Sequence, residues 1–318
     1  MTEYSAEIAR PIIIDTDPGQ DDAVGLLLAL ASPEELEVIA ITAVAGNVPL
    51  DLTVANCLAL VELANRPEVP VYRGSIRPMV KDLVTAEYVH GPTGLDGANL
   101  PPPTTQEGQG HAVDRIIDLL MTRDEQTTIC VFGPLTNIGL ALVREPQIAS
   151  RIDEIVLMGG GFFEGGNTTP VAEFNIYVDP HAAHVVFSSG IPIVMMPLDV
   201  THKALTTQER LERFRTIGTP AGDAVAGMLG FFDRWDKKKY QWAGAPLHDP
   251  TVIAYLLSPE LFSGRKVHVE IETAPGPTQG MTVVDWWAVT DNPPNAVVMN
   301  EIDDAGFFDL LVERIARL

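Results

Sequence analysis

The segment Asp15-Thr-Asp17-Pro-Gly-Gln-Asp21-Asp22 sets four carboxylates within eight consecutive positions. Carboxylates this close repel one another unless a cation sits among them, and an all-oxygen donor set selects a hard ion, Ca²⁺ or Mg²⁺. Pro18-Gly19 forces a turn that brings Asp17 back alongside Asp21 and Asp22. A plainer account makes Asp21 and Asp22 acids of a helix N-terminus and makes Asp15 and Asp17 turn formers. Capping accounts for one or two of these acids and leaves the others, so a metal site is the stronger reading.

A second cluster, Gly165-Gly-Asn167-Thr-Thr-Pro-Val-Ala-Glu173-Phe-Asn175, offers neutral and anionic hydrogen-bond partners of the kind that bind sugar hydroxyls, although an Asx-rich loop ahead of a helix has the same composition. In His248-Asp249-Pro250 the acid is either a site residue or an N-cap before Pro at the first helical position. His90 opens the glycine-rich run Gly91-Pro-Thr-Gly94-Leu-Asp-Gly97, which reads as a lid or as a solvated loop. Asn47 follows the strand-like run 37–44 and faces the same crevice as Asp17. Between residues 231 and 242, Trp235 and Tyr240 are aromatic groups able to stack on a planar ligand, or else a helix face packed on the core.

The elements that must position these groups alternate. Short β-rich runs at 11–14, 37–44, 69–72, 127–132, 154–159 and 191–196 are separated by helical patterns at 23–31, 51–64, 111–121, 137–143 and 180–188. Uninterrupted Val/Ile/Leu runs without two-residue alternation are strands buried on both faces, so the fold class is α/β, an open, mostly parallel sheet flanked by helices. In such sheets ligands bind beyond the carboxyl ends of the strands, where the acidic segment falls. After Pro197 the pattern changes to helices at 206–215, 223–240 and 250–257, an antiparallel pair at 266–272 and 281–287, and a closing amphipathic helix at 303–317. With no internal repeat and no linker-like segment, residues 1–318 are expected to form a single domain, with an added helical and β-hairpin region in its C-terminal third.

Taken in order, Asp15-Thr-Asp17-Pro-Gly19-Gln-Asp21-Asp22, Ala45-Gly46-Asn47, Gly133-Pro-Leu-Thr-Asn137, Met158-Gly-Gly, Ala172-Glu173-Phe-Asn175 and His248-Asp249-Pro250 resemble the successive motifs of the inosine-uridine nucleoside hydrolase family across most of the chain. The resemblance implies a Rossmann-like fold and a Ca²⁺-dependent enzyme that cleaves the N-glycosidic bond of ribonucleosides to free base and ribose with inversion. By the same resemblance Asp17, Asp22, Asp249 and the backbone carbonyl of Phe132 match the calcium ligands, and Asp17 also matches the base that deprotonates the attacking water. Asp21, Asn167, Glu173, Asn175 and Asp249 match the ribose-holding residues, and Asn47 neighbours the water. His248 and His90 match histidines that face the leaving base and the substrate. Such chemistry builds positive charge on the ribose, which buried carboxylates would stabilise, while His248, titrating near neutrality, would supply or relay a proton to the base.

Composition narrows the partners. With 43 acidic against 21 basic residues and a formal charge of −22, the chain is repelled by nucleic acids and anionic membranes. A hydrophobic content of 46% argues against disorder, and no apolar run approaches the roughly 20 residues of a membrane span. The acidic start gives no expectation of export, and Cys57 and Cys130, both in apolar surroundings, read as buried reduced thiols of a cytoplasmic protein. The expected partner is a small-molecule nucleoside, and the family resemblance implies a homodimer or homotetramer. Two competing readings are a metal-dependent phosphohydrolase of the haloacid dehalogenase type, whose Asp-x-Asp is followed by Gly-Thr rather than Pro-Gly, and a non-catalytic ribose- or nucleoside-binding protein.

Overall fold

The computed structural model describes residues 9–318, with the backbone alone for 233–240. From the amino end the chain runs β1 (Arg10–Thr16), α1 (Gln20–Leu30), β2 (Leu36–Ala43), α2 (Leu50–Leu63), β3 (Val71–Arg73), α3 (Glu87–His90), α4 (Ala112–Thr122), β4 (Thr127–Val131), α5 (Thr136–Arg144), β5 (Ile152–Met158), α6 (Phe174–Val178), α7 (Pro180–Phe187), β6 (Ile193–Met196) and α8 (Leu198–Thr201). It continues through β7 (Leu205–Thr207), α9 (Gln208–Arg215), α10 (Pro220–Tyr240), β8 (Gly244–Pro246), α11 (Pro250–Leu257), β9 (Phe262–Val267), β10 (Val269–Ile271), β11 (Thr282–Val284), β12 (Ala296–Ile302) and α12 (Asp304–Ile315). Among the described residues, no helix is long and apolar enough to cross a membrane.

Eight strands form one sheet in the order β3-β2-β1-β4-β5-β6-β12-β9, parallel throughout except for β9, which runs antiparallel to β12 at the edge. The α/β expectation therefore holds. β1 shows why its sequence makes a central strand: Ile12 and Ile14 point into one core with Leu27, Phe132 and Phe308, while Ile13 points into the other with Ile138, Leu142 and Val186. Burying each such side chain contributes about 1.5–3 kcal/mol, which explains the apolar run on both faces.

The C-terminal third departs from expectation. The antiparallel pair exists, with Val269 opposite Val284 and Ile271 opposite Thr282, but it is shorter than the sequence pattern implied. Lys266 and Val267 instead belong to β9, and β12, which the apolar pattern did not reveal, lies between β6 and β9. The apolar run of β12 is the short Ala296-Val-Val-Met, and Asn300 and Glu301 separate it from Ile302. This part of the chain completes the main sheet as well as adding helices to it.

The strand order creates the site. β2 and β4 lie on opposite sides of β1, so the connections leaving β1 and β4 turn to opposite faces and open a crevice at the carboxyl ends of these strands. α1 then runs back through the interior with every residue buried, which its Ala/Val/Leu composition permits.

Candidate active site

Asp15 and Asp17 stand at the end of β1, Asn47 beyond β2, Phe132 and Gly133 beyond β4, and Gly159 and Gly160 beyond β5. Asp21 and Asp22 open α1, and Asp22 caps it by accepting the Gly19 N–H at 3.0 Å. Capping is therefore real, as the plainer reading held, but it occupies one acid. The other Asp22 oxygen accepts the Thr16 hydroxyl at 2.6 Å, and the Asn47 amide reaches the carboxylate at 3.1 Å.

Asp17 accepts the Asn47 backbone N–H on Oδ2 at 2.7 Å, and its Oδ1 is buried without a hydrogen-bond partner among the described residues. Two glycines make room for it. A Cβ at Gly46 would lie 2.0 Å from Asp17 Oδ2, and one at Gly133 would lie 2.2 Å from Oδ1, closer than any side-chain atom can approach. Asp15, one turn of the pleat behind, accepts Thr42 Oγ1 at 2.5 Å and Asn137 Nδ2 at 2.8 Å. One oxygen of each of Asp15, Asp17 and Asp21 remains unpartnered.

Among the described residues, Asp21, Asp22 and Asp249 form a group whose carboxylate oxygens lie within 4.8 Å of one another, all buried. Burial is the largest cause raising each of these acids above the ordinary carboxylate range. Repulsion from Asp22 adds to it at Asp17 and Asp21, and repulsion from Asp21 adds to it at Asp249. Asp15 and Asp21 are pushed up to about 7. Buried like charges with unpartnered oxygens cost free energy that a hard cation would offset, so the donor set fits a divalent ion with oxygen ligands. The Phe132 carbonyl, expected at the metal, faces the same cleft and accepts Asn175 Nδ2 at 2.5 Å.

Above this acidic floor opens a cleft with about 720 Å³ of empty space, open solvent at its mouth included. It is lined by Asp21, Asp249, Asn47, Asn167, Glu173 and Asn175 toward the floor, and by His90, Phe232, His202 and His248 among others. Glu173 is the N-cap of α6, accepting Asn175 N and Ile176 N, and it also accepts Gly160 N at 2.9 Å. Burial pushes its carboxyl up to about 7. Asn167 accepts the Phe174 N–H at 2.9 Å, which fixes the loop that precedes α6.

Two histidines differ from the sequence expectation. His90 ends α3 as a buried side chain, in place of a solvated loop residue. Its Nδ1 lies 2.7 Å from Gln20 Oε1, and because Gln20 Nε2 donates to the His90 and Asp96 carbonyls, the imidazole must carry its proton on Nδ1. Its ring stacks on Phe232 at 5.5 Å, and burial pushes its pKa down to about 3. His248 does not titrate near neutrality as expected: burial drives it well below its usual value, with smaller contributions from His202 and His90. Its Nδ1 is held 2.7 Å from the Thr201 hydroxyl. Trp235 and Tyr240 lie outside the residues whose side chains are described.

The family described as inosine-uridine preferring nucleoside hydrolase matches residues 12–309. The chain belongs to this family. A pyrimidine-specific ribonucleoside hydrolase of Escherichia coli is 50% identical over 97% of the chain and 99% of its own length, and an uncharacterised protein of Schizosaccharomyces pombe is 52% identical over 96% and 99%. Among solved structures, a purine-preferring ribonucleoside hydrolase of Gardnerella vaginalis is 33% identical with a TM-score of 0.89, over 96% of this chain and 98% of that one. A plant nucleoside hydrolase is 31% identical with a TM-score of 0.91, over 97% and 99%. The protein is thus a nucleoside hydrolase, and the phosphohydrolase and non-catalytic readings are set aside.

Several residues that shape this nucleoside hydrolase site received no role from the sequence: Gly46 and Gly133 around Asp17, Gln20 behind His90, and Thr201 and His202 beside His248. Gly46, Gly133 and Gln20 stand inside the motifs quoted above, which is the signal they carried. Thr201 and His202 carried none, because their partners are separated from them by tens of residues.

Proposed function

We propose that this nucleoside hydrolase cleaves the C1′–N bond of pyrimidine ribonucleosides, uridine and cytidine in preference to purine nucleosides, with calcium as its metal. The observation that carries the metal-assisted reading is the buried cluster of Asp21, Asp22 and Asp249 at the cleft, with oxygens of Asp17 and Asp21 that lack a hydrogen-bond partner among the described residues. The names of relatives at 50% identity support the pyrimidine preference.

Asp17, Asp22, Asp249 and the Phe132 carbonyl would hold the ion. Once bound, it would supply positive charge to orient the ribose hydroxyls and to make a water more acidic. Asp17 takes the proton of the attacking water, a role its buried Oδ1, without a hydrogen-bond partner among the described residues, suits. Asn47 orients that carboxylate through its backbone N–H and neighbours the water. Asp21, Asn167, Glu173, Asn175 and Asp249 hold the ribose, and their negative charge stabilises the cationic sugar that forms as the bond breaks. Water enters opposite the base, so the configuration at C1′ inverts.

The electron pair of the broken bond goes to the ring nitrogen of the base. With the Thr201 hydroxyl donating to Nδ1, a neutral His248 carries its proton on Nε2 and can hydrogen-bond the departing base. His90, fixed by Gln20 and Phe232, also lines the cleft. The two free, buried cysteines are in keeping with a reducing, cytoplasmic setting.

Steady-state kcat/KM on uridine, cytidine, inosine and adenosine tests the reading, each with added Ca²⁺ and with chelator. The expected result is a kcat/KM at least about tenfold higher for the two pyrimidine nucleosides, equivalent to ~1.4 kcal/mol of barrier, and loss of turnover on chelation. Equal rates on all four would overturn the preference, and full activity in chelator would overturn the metal assignment.

A further inference from the structure

α8 and the residue after it organise one wall of the cleft. Asp199 accepts the backbone N–H groups of Phe162 at 2.9 Å, Phe163 at 2.8 Å and Glu164 at 3.1 Å, so it pins the loop that follows β5. Thr201 holds His248, and His202 lines the cleft with its ring edge-on to His248 at a centroid distance of 5.9 Å. The pinned loop presents Glu164 to His202, with Oε2 3.0 Å from Nδ1. The His202 side chain is 14% exposed and that of Glu164 47% exposed, so the pair runs from solvent to the cleft wall. Among the described residues, His202 Nε2 has no hydrogen-bond partner.

We propose that His202, paired with Glu164, is the proton source for the departing base. A carboxylate on Nδ1 favours the imidazolium and leaves the opposite nitrogen as the donor, the arrangement that suits an acid at a leaving group. When the C1′–N bond breaks, its electron pair goes to the ring nitrogen, and the His202 proton neutralises the base there or on its conjugated carbonyl oxygen. The neutral imidazole then regains a proton from the water that Glu164 meets. Among the described residues, the charged and titratable groups facing His202 are Glu164 from the loop, Asp199 from its own turn and His248 from the segment before α11. Burial outweighs the opposing pull of Glu164 and Asp199, so the His202 pKa lies below its ordinary value, and Glu164 limits that fall.

This inference rests on the nucleoside hydrolase reading and has its own test. His202→Gln and Glu164→Gln are assayed with Ca²⁺ on uridine and on p-nitrophenyl riboside, whose leaving group needs no proton. For His202→Gln the expected loss of kcat/KM is about 100-fold on uridine and less than about threefold on the nitrophenyl riboside, the size of an acid-catalysis effect. Glu164→Gln keeps the side-chain shape and removes the charge that stabilises the imidazolium. It should move the alkaline limb of the uridine kcat/KM profile to lower pH, with the nitrophenyl riboside profile unmoved. Equal losses on both substrates, or an alkaline limb that stays in place in Glu164→Gln, would overturn the proposal. A wild-type enzyme inactive on uridine but active on the nitrophenyl riboside would overturn the nucleoside reading instead.

Discussion

The floor and the wall of the cleft are built by opposite means. The floor, Asp15, Asp17, Asp21, Asp22 and Asp249, hangs from the end of β1 and the starts of α1 and α11, where Asp249 adjoins the wall residue His248. There, backbone N–H groups, Thr16, Thr42, Asn47 and Asn137 hold the acids, and Gly46 and Gly133 leave Asp17 the room that any larger residue would fill. The wall above it, Phe232, His202 and His248, comes from α10, the residue after α8 and the segment before α11. It is held by ring contacts and single hydrogen bonds such as Thr201 to His248. An over-determined floor suits chemistry that every substrate shares, whereas a wall of side chains on helices can change without disturbing the sheet. A purine-preferring hydrolase with a TM-score of 0.89 against this chain fits that division, because the folds agree while its name differs from the pyrimidine-specific relatives.

The sharpest way to break the comparison is to damage the floor. Asp17→Ala is expected to abolish turnover on every substrate, and retention of more than about a tenth of the wild-type rate, ~1.4 kcal/mol of barrier, would refute its role as the base. Gly46→Ala tests the geometry without touching a carboxylate. Its methyl would lie 2.0 Å from Asp17 Oδ2, so the acid must move, and a loss of about 100-fold on uridine and nitrophenyl riboside alike is expected. A Gly46→Ala enzyme of near wild-type activity would mean that the floor tolerates displacement and that the contrast with the wall is false.

Damage to the wall should depend on the leaving group. His248→Ala removes a hydrogen-bond donor to the base and leaves the floor intact, so the expected loss is about 10- to 100-fold on uridine and much smaller on the nitrophenyl riboside. Equal losses would place His248 with the floor residues, as a group that positions the ribose.

The floor was also the more legible region in the sequence. Four acids in eight positions cannot be explained by helix capping, and strands buried on both faces announce themselves as unbroken Val/Ile/Leu runs, so the parallel sheet and its crevice followed from short-range pattern. The wall was largely illegible. His202 and Glu164 are brought together by a loop pinned to Asp199, and no local spacing encodes that contact. His248 lines the cleft, and its pKa is lowered by burial among distant segments, which its local sequence does not encode. β12 escaped notice for a related reason, since only its first half faces the core and its second half carries Asn300 and Glu301.

A smaller effect separates the two regions by stability. Asp15 and Asp21, ordinarily near 3.8, and Glu173, ordinarily near 4.5, are each pushed up to about 7 by burial in the folded chain. A carboxyl whose pKa is raised on folding binds its proton more tightly in the native state. These groups therefore favour the fold at low pH, and that advantage is lost as pH rises from the unfolded value through about 7, the reverse of the usual paired carboxylate. In chelator, the melting temperature should fall between pH 5 and pH 8, and Ca²⁺ should restore more of it at pH 8, where the acids are charged and free to bind. Surface acids in a chain of net charge −22 give a slope of the same sign, so Asp21→Asn supplies the discrimination. It removes one buried titration and should flatten the slope by about 2 °C or more across that range, while reducing the gain from Ca²⁺. A slope identical to that of the wild type would assign the pH dependence to the surface and leave the floor acids protonated or paired in some other way.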